Sequence, residues 1–208
     1  IIGMDIKGSD YTGLFGYNDR GIIKNIKLEN VNLESVRNVG SIVGYSNYGT
    51  ESFIDITNLN VSGKDFVGGV IGNMSESTAD NIIYRQNYTL KNIKIYGENE
   101  HVAGAIAYND DYNSISNVII EGNNEIIGKN YVGLAVGEND LNAQALSLIV
   151  EGNVSGNEYV GGIVGYNYRG IVKGAYKNGS VLGTGSYAHR AGYDSSATTQ
   201  VIANKDIT

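Results

Sequence analysis

The residues whose types and spacing could support catalysis are two pairs of carboxylates in corresponding turns of a repeated sequence. Asp110 and Asp111 lie in the segment YNDDYN, and Glu138 and Asp140 lie in the segment GENDLN. Two carboxyl groups about 5 to 10 Å apart can cleave a glycosidic bond, and turn oxygens can bind Ca²⁺ weakly. Asp is also an ordinary turn residue, and no Arg or Lys is clustered beside these four. We therefore expect solvated turns without catalysis, with weak Ca²⁺ binding as an alternative.

The two histidines and the known catalytic motifs do not predict a catalytic centre. His101 takes the place that other copies of the repeat fill with Phe66, Tyr131 and Tyr159, so we expect it to be one rung of an aromatic ladder. His189 lies in the last copy, where packing is the expected role. The sequence has no His-Glu-x-x-His zinc motif, no Gly-x-Ser-x-Gly nucleophile motif and no phosphate-binding loop motif. It therefore predicts a protein that is not an enzyme.

The best candidate for ligand binding is a recurring tyrosine. Tyr follows the closing position of the repeated motif in five copies, at Tyr17, Tyr45, Tyr108, Tyr166 and Tyr193. Equivalent residues of stacked strands form ladders, and an outward tyrosine ladder would give a flat, hydrogen-bonding strip for sugar rings or a protein partner. Tyr168, like Tyr48 and Tyr112, lies in the turn that follows and would widen this strip. A purely structural tyrosine ladder is the alternative, and the neighbouring asparagine ladder is expected to be structural.

These side chains must be positioned by a repeat that extends over the whole chain. Its clearest copy is YVGGIVGYN, at residues 159–167. The closing position recurs every 27 to 35 residues, most often every 28, at Gly16, Gly44, Gly72, Ala107, Gly137, Gly165 and Gly192. Each unit holds about three short apolar stretches separated by turns, and none has helical periodicity. A propeller blade needs about 40 residues, so units of this length favour one solenoid coil each.

The expected fold is therefore all-β, a right-handed parallel β-helix of about seven coils with roughly 28 residues per coil. The right hand follows from the strong preference of parallel connections. We expect one domain over residues 1–208, with residues 184–208 as a closing coil because the motif degenerates there. The polar stretch 74–87 falls in the longest interval and is expected to bulge out as a loop, which makes it a candidate contact surface.

Composition excludes several classes of partner. The formal net charge of −7 argues against a nucleic acid, whose binding depends on clustered Lys and Arg. The chain has no cysteine, so disulfide and thiol chemistry are excluded. No apolar run approaches the roughly 20 residues of a membrane-spanning helix, so this segment is not expected to insert into a membrane. Because the first residue already lies within the pattern, we expect the segment to belong to a larger polypeptide.

The repeat resembles the GLUG repeat family. The resemblance rests on Gly-Leu-Phe-Gly-Tyr-Asn at residues 13–18 leading into Ile-Ile-Lys-Asn at 22–25, and on residues 160–167 leading into Gly-Ile-Val-Lys at 170–173. The closing segment 187–192 also looks like the end of such an array, so the resemblance covers nearly the whole chain. It implies a β-helical segment of a large secreted or surface-attached bacterial protein. Such repeats occur in adhesin-like proteins and in immunoglobulin-A-cleaving zinc metallopeptidases.

Residues and resemblance together predict a non-catalytic binding or spacer module, extracellular or on the bacterial cell surface. The expected activity is adhesion to a glycan, or to a host or environmental surface through a protein ligand. An accessory β-helical segment of a secreted zinc metallopeptidase is the first alternative, and a polysaccharide-degrading enzyme is the second. Apart from weak Ca²⁺ binding at Asp110, Asp111, Glu138 and Asp140, no cofactor is expected.

Overall fold

The computed structural model describes residues 1–75, 78 and 82–185, together with the backbone of residues 188–189, 193–194 and 199–203. The strands in these ranges form three sheets, and every strand pairs in parallel with its counterpart one turn away. No helix capable of crossing a membrane occurs in the described part of the chain. The predicted all-β parallel solenoid is thus confirmed.

Each turn contributes a long stretch to one sheet and two short strands to the others. The long sheet contains Ile2–Lys7, Ile22–Glu34, Thr50–Gly63, Ile83–Gly97, Asn113–Glu121, Glu125–Ile127, Gln144–Val150, Asn153–Gly156, Ile171–Tyr176, Val181–Gly183 and Thr199–Ala203. The first short sheet contains Asp10–Thr12, Arg37–Gly40, Asp65–Gly68, Glu100–Ala103, Asn130–Gly133, Glu158–Gly161 and Ala188–His189. The second short sheet contains Phe15–Asp19, Val43–Asn47, Ile71–Ser75, Ile106–Asn109, Val136–Asn139, Val164–Asn167 and Tyr193–Asp194.

The register between turns is regular. In the long sheet, Ile26 pairs with Ile54 and Asn32 pairs with Asn60, both 28 residues further along the chain. The solenoid has about six turns of about 28 residues. The sequence predicts about seven turns because it contains seven copies of the motif. These seven copies enclose only six complete intervals, which accounts for the difference.

The core is a continuous column of aliphatic side chains along the axis. In one turn, Leu28, Val31 and Val39 are completely buried, and their register partners Ile56, Leu59 and Val67 are buried as well. A fully buried side chain of this size contributes about 1.5 to 3 kcal/mol. The Val and Ile side chains of the repeat therefore form the core, which becomes continuous when the turns stack on one another.

The long strands bend twice without losing their hydrogen bonds to neighbouring turns. Each bend is a residue with positive φ, and these residues form two columns: Asn25, Phe53, Asn87, Asn117 and Ser147 in one, and Asn30, Asn58 and Asn92 in the other. Asn tolerates this backbone conformation better than most residues do. Its amide also bonds along the column, since Asn58 Nδ2 donates to Asn30 Oδ1 at 3.0 Å.

In the described turns that close the motif with glycine, this glycine lies where two short sheets pass close to each other. A Cβ at Gly165 would lie 2.6 Å from the backbone oxygens of Gly137 and Tyr159 and 2.6 Å from the backbone nitrogen of Val132. A Cβ at Gly72 would similarly meet the backbone nitrogen of Val39 at 2.5 Å. Close backbone approach, and not a turn, explains this part of the repeated pattern.

The prediction that residues 74–87 form a polar bulge is wrong at both of its ends. Met74 lies in the strand Ile71–Ser75, between its register partners Ser46 and Asn109, and is fully buried. The strand Ile83–Gly97 already includes Arg85, which is also fully buried. Residues 76–77 and 79–81 lie outside the described residues. Arg85 can enter the core because Glu51, its register partner in the preceding turn, is buried beside it.

The Glu51–Arg85 pair occupies a column that is otherwise aliphatic, between Ile23 and Ile115. Arg85 Nε donates to Glu51 Oε2 at 2.7 Å, and both side chains are 0% exposed. Arg85 Nη1 donates to Asn113 Oδ1 at 2.7 Å, so the guanidinium has a second charge-assisted contact. The carboxylate accepts further bonds at Oε1 from Ser46 Oγ (2.7 Å) and Asn18 Nδ2 (2.6 Å). The two charges are thus neutralised and hydrogen-bonded inside the core.

The predicted closing coil falls largely outside the described residues. Where its backbone is described, pairing with the preceding turn continues, with Val160 opposite Ala188, Tyr166 opposite Tyr193 and Val172 opposite Thr199.

Replacing Arg85 by Met should lower the free energy of unfolding by about 3 to 5 kcal/mol, because it leaves the buried Glu51 carboxylate unpaired. The double variant Glu51→Ile with Arg85→Ile should lose less, since it removes both charges and restores the aliphatic column. Denaturant unfolding monitored by circular dichroism measures both. Glu121→Gln, in the exposed pair with Lys91, is the control and should change stability by less than about 0.5 kcal/mol. Equal losses in the single and double variants would contradict this account.

Candidate functional site

The predicted binding residues gather along one edge of the solenoid, where two ladders of side chains run side by side. The first ladder belongs to the first short sheet and consists of Tyr11, Asn38, Phe66, His101, Tyr131 and Tyr159. The second belongs to the second short sheet and consists of Tyr17, Tyr45, Asn73, Tyr108, Glu138 and Tyr166. We call these two ladders the aromatic corner.

The residues of the first ladder share an unusual backbone conformation. All six have φ between 51° and 55°, which is uncommon for residues other than Gly and costs free energy at an aromatic side chain. Stacking offsets this cost, since the ring centroids of His101 lie 4.7 Å from Phe66 and 4.8 Å from Tyr131. Tyr131 and Tyr159 continue the stack at 5.0 Å with nearly parallel planes. Each such pair contributes about 0.5 to 1.5 kcal/mol beyond its buried area.

The second ladder packs against the first through ring edges. Tyr17 and Tyr45 stack at 5.4 Å, and Tyr11 meets Tyr45 edge-on at 5.6 Å. Further along, Tyr108 meets the His101 ring edge-on at 5.3 Å. This interlocking explains why Tyr recurs at both positions of the repeat.

Exposure differs among the five tyrosines that the sequence singles out. Tyr17 is 51% exposed and Tyr168 is 37% exposed, whereas Tyr45, Tyr108 and Tyr166 are half-buried. Tyr168 stacks at 6.2 Å on Tyr166 and has the Arg169 guanidinium 5.5 Å from its ring centroid, so it does widen the corner. From Phe66 to Tyr159 in the first ladder the stacked rings cover one another's faces, because this stack runs along the solenoid axis. In the second ladder Tyr17 and Tyr45 stack, and Asn73 and Glu138 separate the remaining tyrosines. The corner therefore presents ring edges and hydroxyl groups, and not the flat aromatic strip expected from the sequence.

The histidine of the first ladder and the carboxylate of the second ladder are partners of each other. His101 Nε2 lies 2.7 Å from Glu138 Oε2, with only 11% and 14% of the two side chains exposed. His101 takes the place of a Tyr or Phe in the first ladder, and Glu138 takes the place of a Tyr in the second ladder, one turn further on. His101 is a rung of the aromatic ladder, as predicted, and its contact with Glu138 was not foreseen. The sequence signal for this contact is that neither position holds the usual Tyr or Phe in two adjacent turns.

Two of the candidate carboxylates, Asp110 and Asp140, accept hydrogen bonds within their own turns. Asp110 Oδ1 accepts from the backbone nitrogen of Asp111 at 2.9 Å, and Asp140 Oδ1 accepts from that of Leu141 at 2.7 Å. Tyr108 connects the two turns, because its hydroxyl donates to Asp140 Oδ2 at 2.5 Å and contacts Asp110 Oδ1 at 3.4 Å. Within the described ranges, no three His, Cys, Asp or Glu side chains converge on a point that could hold a metal ion.

Burial and neighbouring charge shift several pKa values in this region. Burial, followed by the hydrogen bond to Asp140, raises the pKa of Tyr108 far above its usual range, so this hydroxyl stays protonated. Burial also raises the pKa of Tyr131 to about 12, with the Glu138 charge as the next cause. Burial and the charges of Asp140 and Asp110 raise the pKa of Asp111. Additional negative charge in this cluster is therefore unfavourable.

The predicted asparagine ladder lies inside the turns and is structural. Asn109 Nδ2 donates to Asn139 Oδ1 at 2.6 Å, and Asn139 Nδ2 donates to Asn167 Oδ1 at 2.8 Å. Asn167 Nδ2 ends this series at the backbone oxygen of Gly170, 3.0 Å away. All three side chains are buried. They satisfy the backbone of the turns and are not accessible to a ligand.

Glu138→Ala should lower the free energy of unfolding by about 1 to 3 kcal/mol, because it removes a charge-assisted partner of the nearly buried His101. The double variant His101→Tyr with Glu138→Tyr should recover most of this loss by restoring both aromatic ladders. Denaturant unfolding measures the difference, with Glu98→Ala in an exposed ion pair as the control. A double variant less stable than Glu138→Ala alone would contradict the proposed compensation.

Asp111→Asn should stabilise the fold at pH 7 and not at pH 3. A pKa raised above the unfolded value of about 3.8 means that the folded state favours the protonated acid, so stability falls as pH rises through the folded pKa. Asn carries no carboxylate, so the variant avoids this loss of folding stability. Thermal unfolding at both pH values measures the effect, with the exposed Asp55→Asn as a control for net charge. The same gain at both pH values would count against this explanation.

Comparison with known proteins assigns no family to this arrangement. No family model, no curated protein and no solved structure matches the chain. Its function has to be argued from the geometry of its own residues.

Proposed function

We propose that this chain is a non-catalytic binding and spacer module of a secreted or cell-surface protein. Its rigid coil, right-handed by the preference of parallel connections, would hold a binding surface at a distance from the rest of the polypeptide. The likeness of its motif to the GLUG repeats supports an extracellular, adhesin-like role. A glycan or a protein on a host or environmental surface would be the ligand.

The observation that carries this proposal is the aromatic corner. Tyr17 near one end and Tyr168 near the other are substantially exposed, and tyrosine is suited to recognition because one ring offers both apolar area and a hydroxyl. Rings that are stacked and interlocked are already ordered, so a ligand would lose little side-chain entropy on binding there. A surface of ring edges and hydroxyls favours a partner rich in hydroxyl groups.

The arrangement of the carboxylates favours binding over cleavage. Asp110 and Asp140 accept hydrogen bonds from their own turns and share Tyr108, and Glu138 is engaged by His101. A glycosidase needs two carboxyl groups that flank a bound sugar. Asp110, Glu138 and Asp140 thus have structural partners, and of the four candidates only Asp111 has a buried carboxylate oxygen without one, so cleavage has less support than adhesion.

Tyr17→Ala and Tyr168→Ala should each weaken adhesion about tenfold, a loss of about 1.4 kcal/mol. The measurement is binding to a glycan array and to insoluble neutral polysaccharides. Tyr84→Ala is the matched control, because Tyr84 is 62% exposed but lies on the long sheet, away from the aromatic corner. Circular dichroism should show all three variants folded.

Equal affinity of Tyr17→Ala, Tyr168→Ala and Tyr84→Ala would remove the aromatic corner as the binding surface. Release of reducing sugar ends that disappears in Asp110→Asn would overturn the non-catalytic assignment.

A further inference from the structure

A second surface lies on the outer face of the long sheet, away from the aromatic corner. It is an open groove of about 630 Å³ between two adjacent columns of outward side chains. We call it the outer groove, and its principal residues are Asn32, Asn60, Lys94, Glu125, Tyr96 and Ile127. Asn32, Asn60, Lys94 and Glu125 follow one another in register on four successive turns. The groove therefore runs along the axis of the solenoid.

Tyr96 gives the outer groove an aromatic surface that the aromatic corner lacks. Tyr96 is 50% exposed, and its register neighbours are Ser62 on one side and Ile127 on the other. Neither neighbour is aromatic, so no stacked ring covers Tyr96 as the rings of the corner cover one another. The C–H groups of a pyranose ring pack well on such an aromatic face.

The column beside Tyr96 supplies hydrogen-bonding groups on successive turns. Asn60 Nδ2 donates to Asn32 Oδ1 at 2.9 Å, which orders both carboxamides. A carboxamide has two N–H donors and two acceptor lone pairs, so each keeps capacity for a ligand. Lys94 and Glu125 extend the column with a cationic donor and an anionic acceptor. Turns about 4.8 Å apart repeat these groups at a spacing close to one pyranose unit of an extended chain.

The charges around the outer groove favour a neutral occupant. Lys7 and Glu34 line one end and neutralise each other in an exposed ion pair of 2.7 Å. Asp5, Lys94 and Glu125 complete the charged lining, so acids exceed bases by only one. A polyanion would meet these carboxylates and a polycation would meet the lysines. A hydroxyl-rich neutral chain can bond to both kinds of group.

We propose that the outer groove binds an extended, neutral oligosaccharide along the solenoid axis. Tyr96 stacks against one pyranose ring, and Asn60, Lys94 and Glu125 hydrogen-bond to hydroxyl groups of that ring and its neighbours. This inference rests on the proposed binding function and names a second, separate site and a ligand class for it.

The test is titration calorimetry of the whole chain with defined hexasaccharides. The probes are neutral hexamers of glucose, mannose and N-acetylglucosamine, with a hexamer of galacturonate as the anionic counterpart. At least one neutral hexamer should bind, and Tyr96→Ala should weaken its binding at least tenfold. Tyr84→Ala is the matched control, because Tyr84 lies on the same strand, is at least as exposed and does not line the outer groove. It should leave the affinity unchanged.

Two further variants separate this proposal from the one for the aromatic corner. Asn60→Ala should weaken binding of the same hexamer, whereas Tyr17→Ala should leave its binding unchanged. Loss of binding in Tyr17→Ala with full binding in Tyr96→Ala would retain the aromatic corner and overturn the outer groove. The reverse pattern is the one expected for the outer groove, and the aromatic corner is then judged by the separate adhesion measurement with Tyr17→Ala and Tyr168→Ala.

Other outcomes identify a different occupant or none. Absence of binding to every neutral hexamer, or tighter binding of galacturonate, would overturn the proposal. A concentration-dependent dimer in sedimentation that Tyr96→Ala abolishes would show that a second copy of the chain covers the groove, which also overturns it. Preferential binding of extended peptides would assign the groove to a protein partner instead.

Discussion

The structure depends on parallel hydrogen bonding between each turn and the next, most often 28 residues further along the chain, with a register shift between Ala145 and Leu148. One turn of this length cannot enclose a core, since its apolar side chains cover only one layer. Stacking places equal residues above one another, so every repeated position becomes a continuous column. Leu28, Val31 and Val39 belong to the apolar columns, whereas Asn30 and Tyr17 belong to polar and aromatic columns on the surface. The packed core, the bends and the candidate binding surfaces therefore all result from the stacking of equivalent residues in successive turns.

A column also explains how residues that break the repeat are tolerated. A charged side chain in a buried column is costly unless its partner lies in an adjacent turn. Glu51 and Arg85 satisfy this condition in the core, and His101 and Glu138 satisfy it in the aromatic corner. In both places two departures from the pattern occur within one turn of each other and are in contact. A single departure of this kind would leave an uncompensated charge.

The two surfaces offer different chemistry because stacking affects their rings differently. In the aromatic corner most turns supply a ring, so the rings that stack, such as Tyr17 on Tyr45 and Tyr131 on Tyr159, cover one another's faces. In the outer groove only Tyr96 supplies a ring, and its neighbours Ser62 and Ile127 leave it uncovered. A tyrosine without a ring stacked on either side is better suited to a sugar ring than a tyrosine within a stack is. The departures from perfect repetition are thus the more informative positions for binding.

The sequence by itself determined the all-β class, the 28-residue turn, the inward aliphatic positions and the rung taken by His101, because each follows from local periodicity. It did not predict the burial of Arg85, the contact between His101 and Glu138, or the groove beside Tyr96. Arg85 lies in a polar stretch that looks like a loop until Glu51 of the preceding turn is placed next to it. The direction in which the tyrosine faces point was also decided only by the tertiary structure. The reason is physical: periodicity defines which residues share a column, whereas burial, charge pairing and ring exposure depend on the residues of adjacent turns and on the bends between sheets.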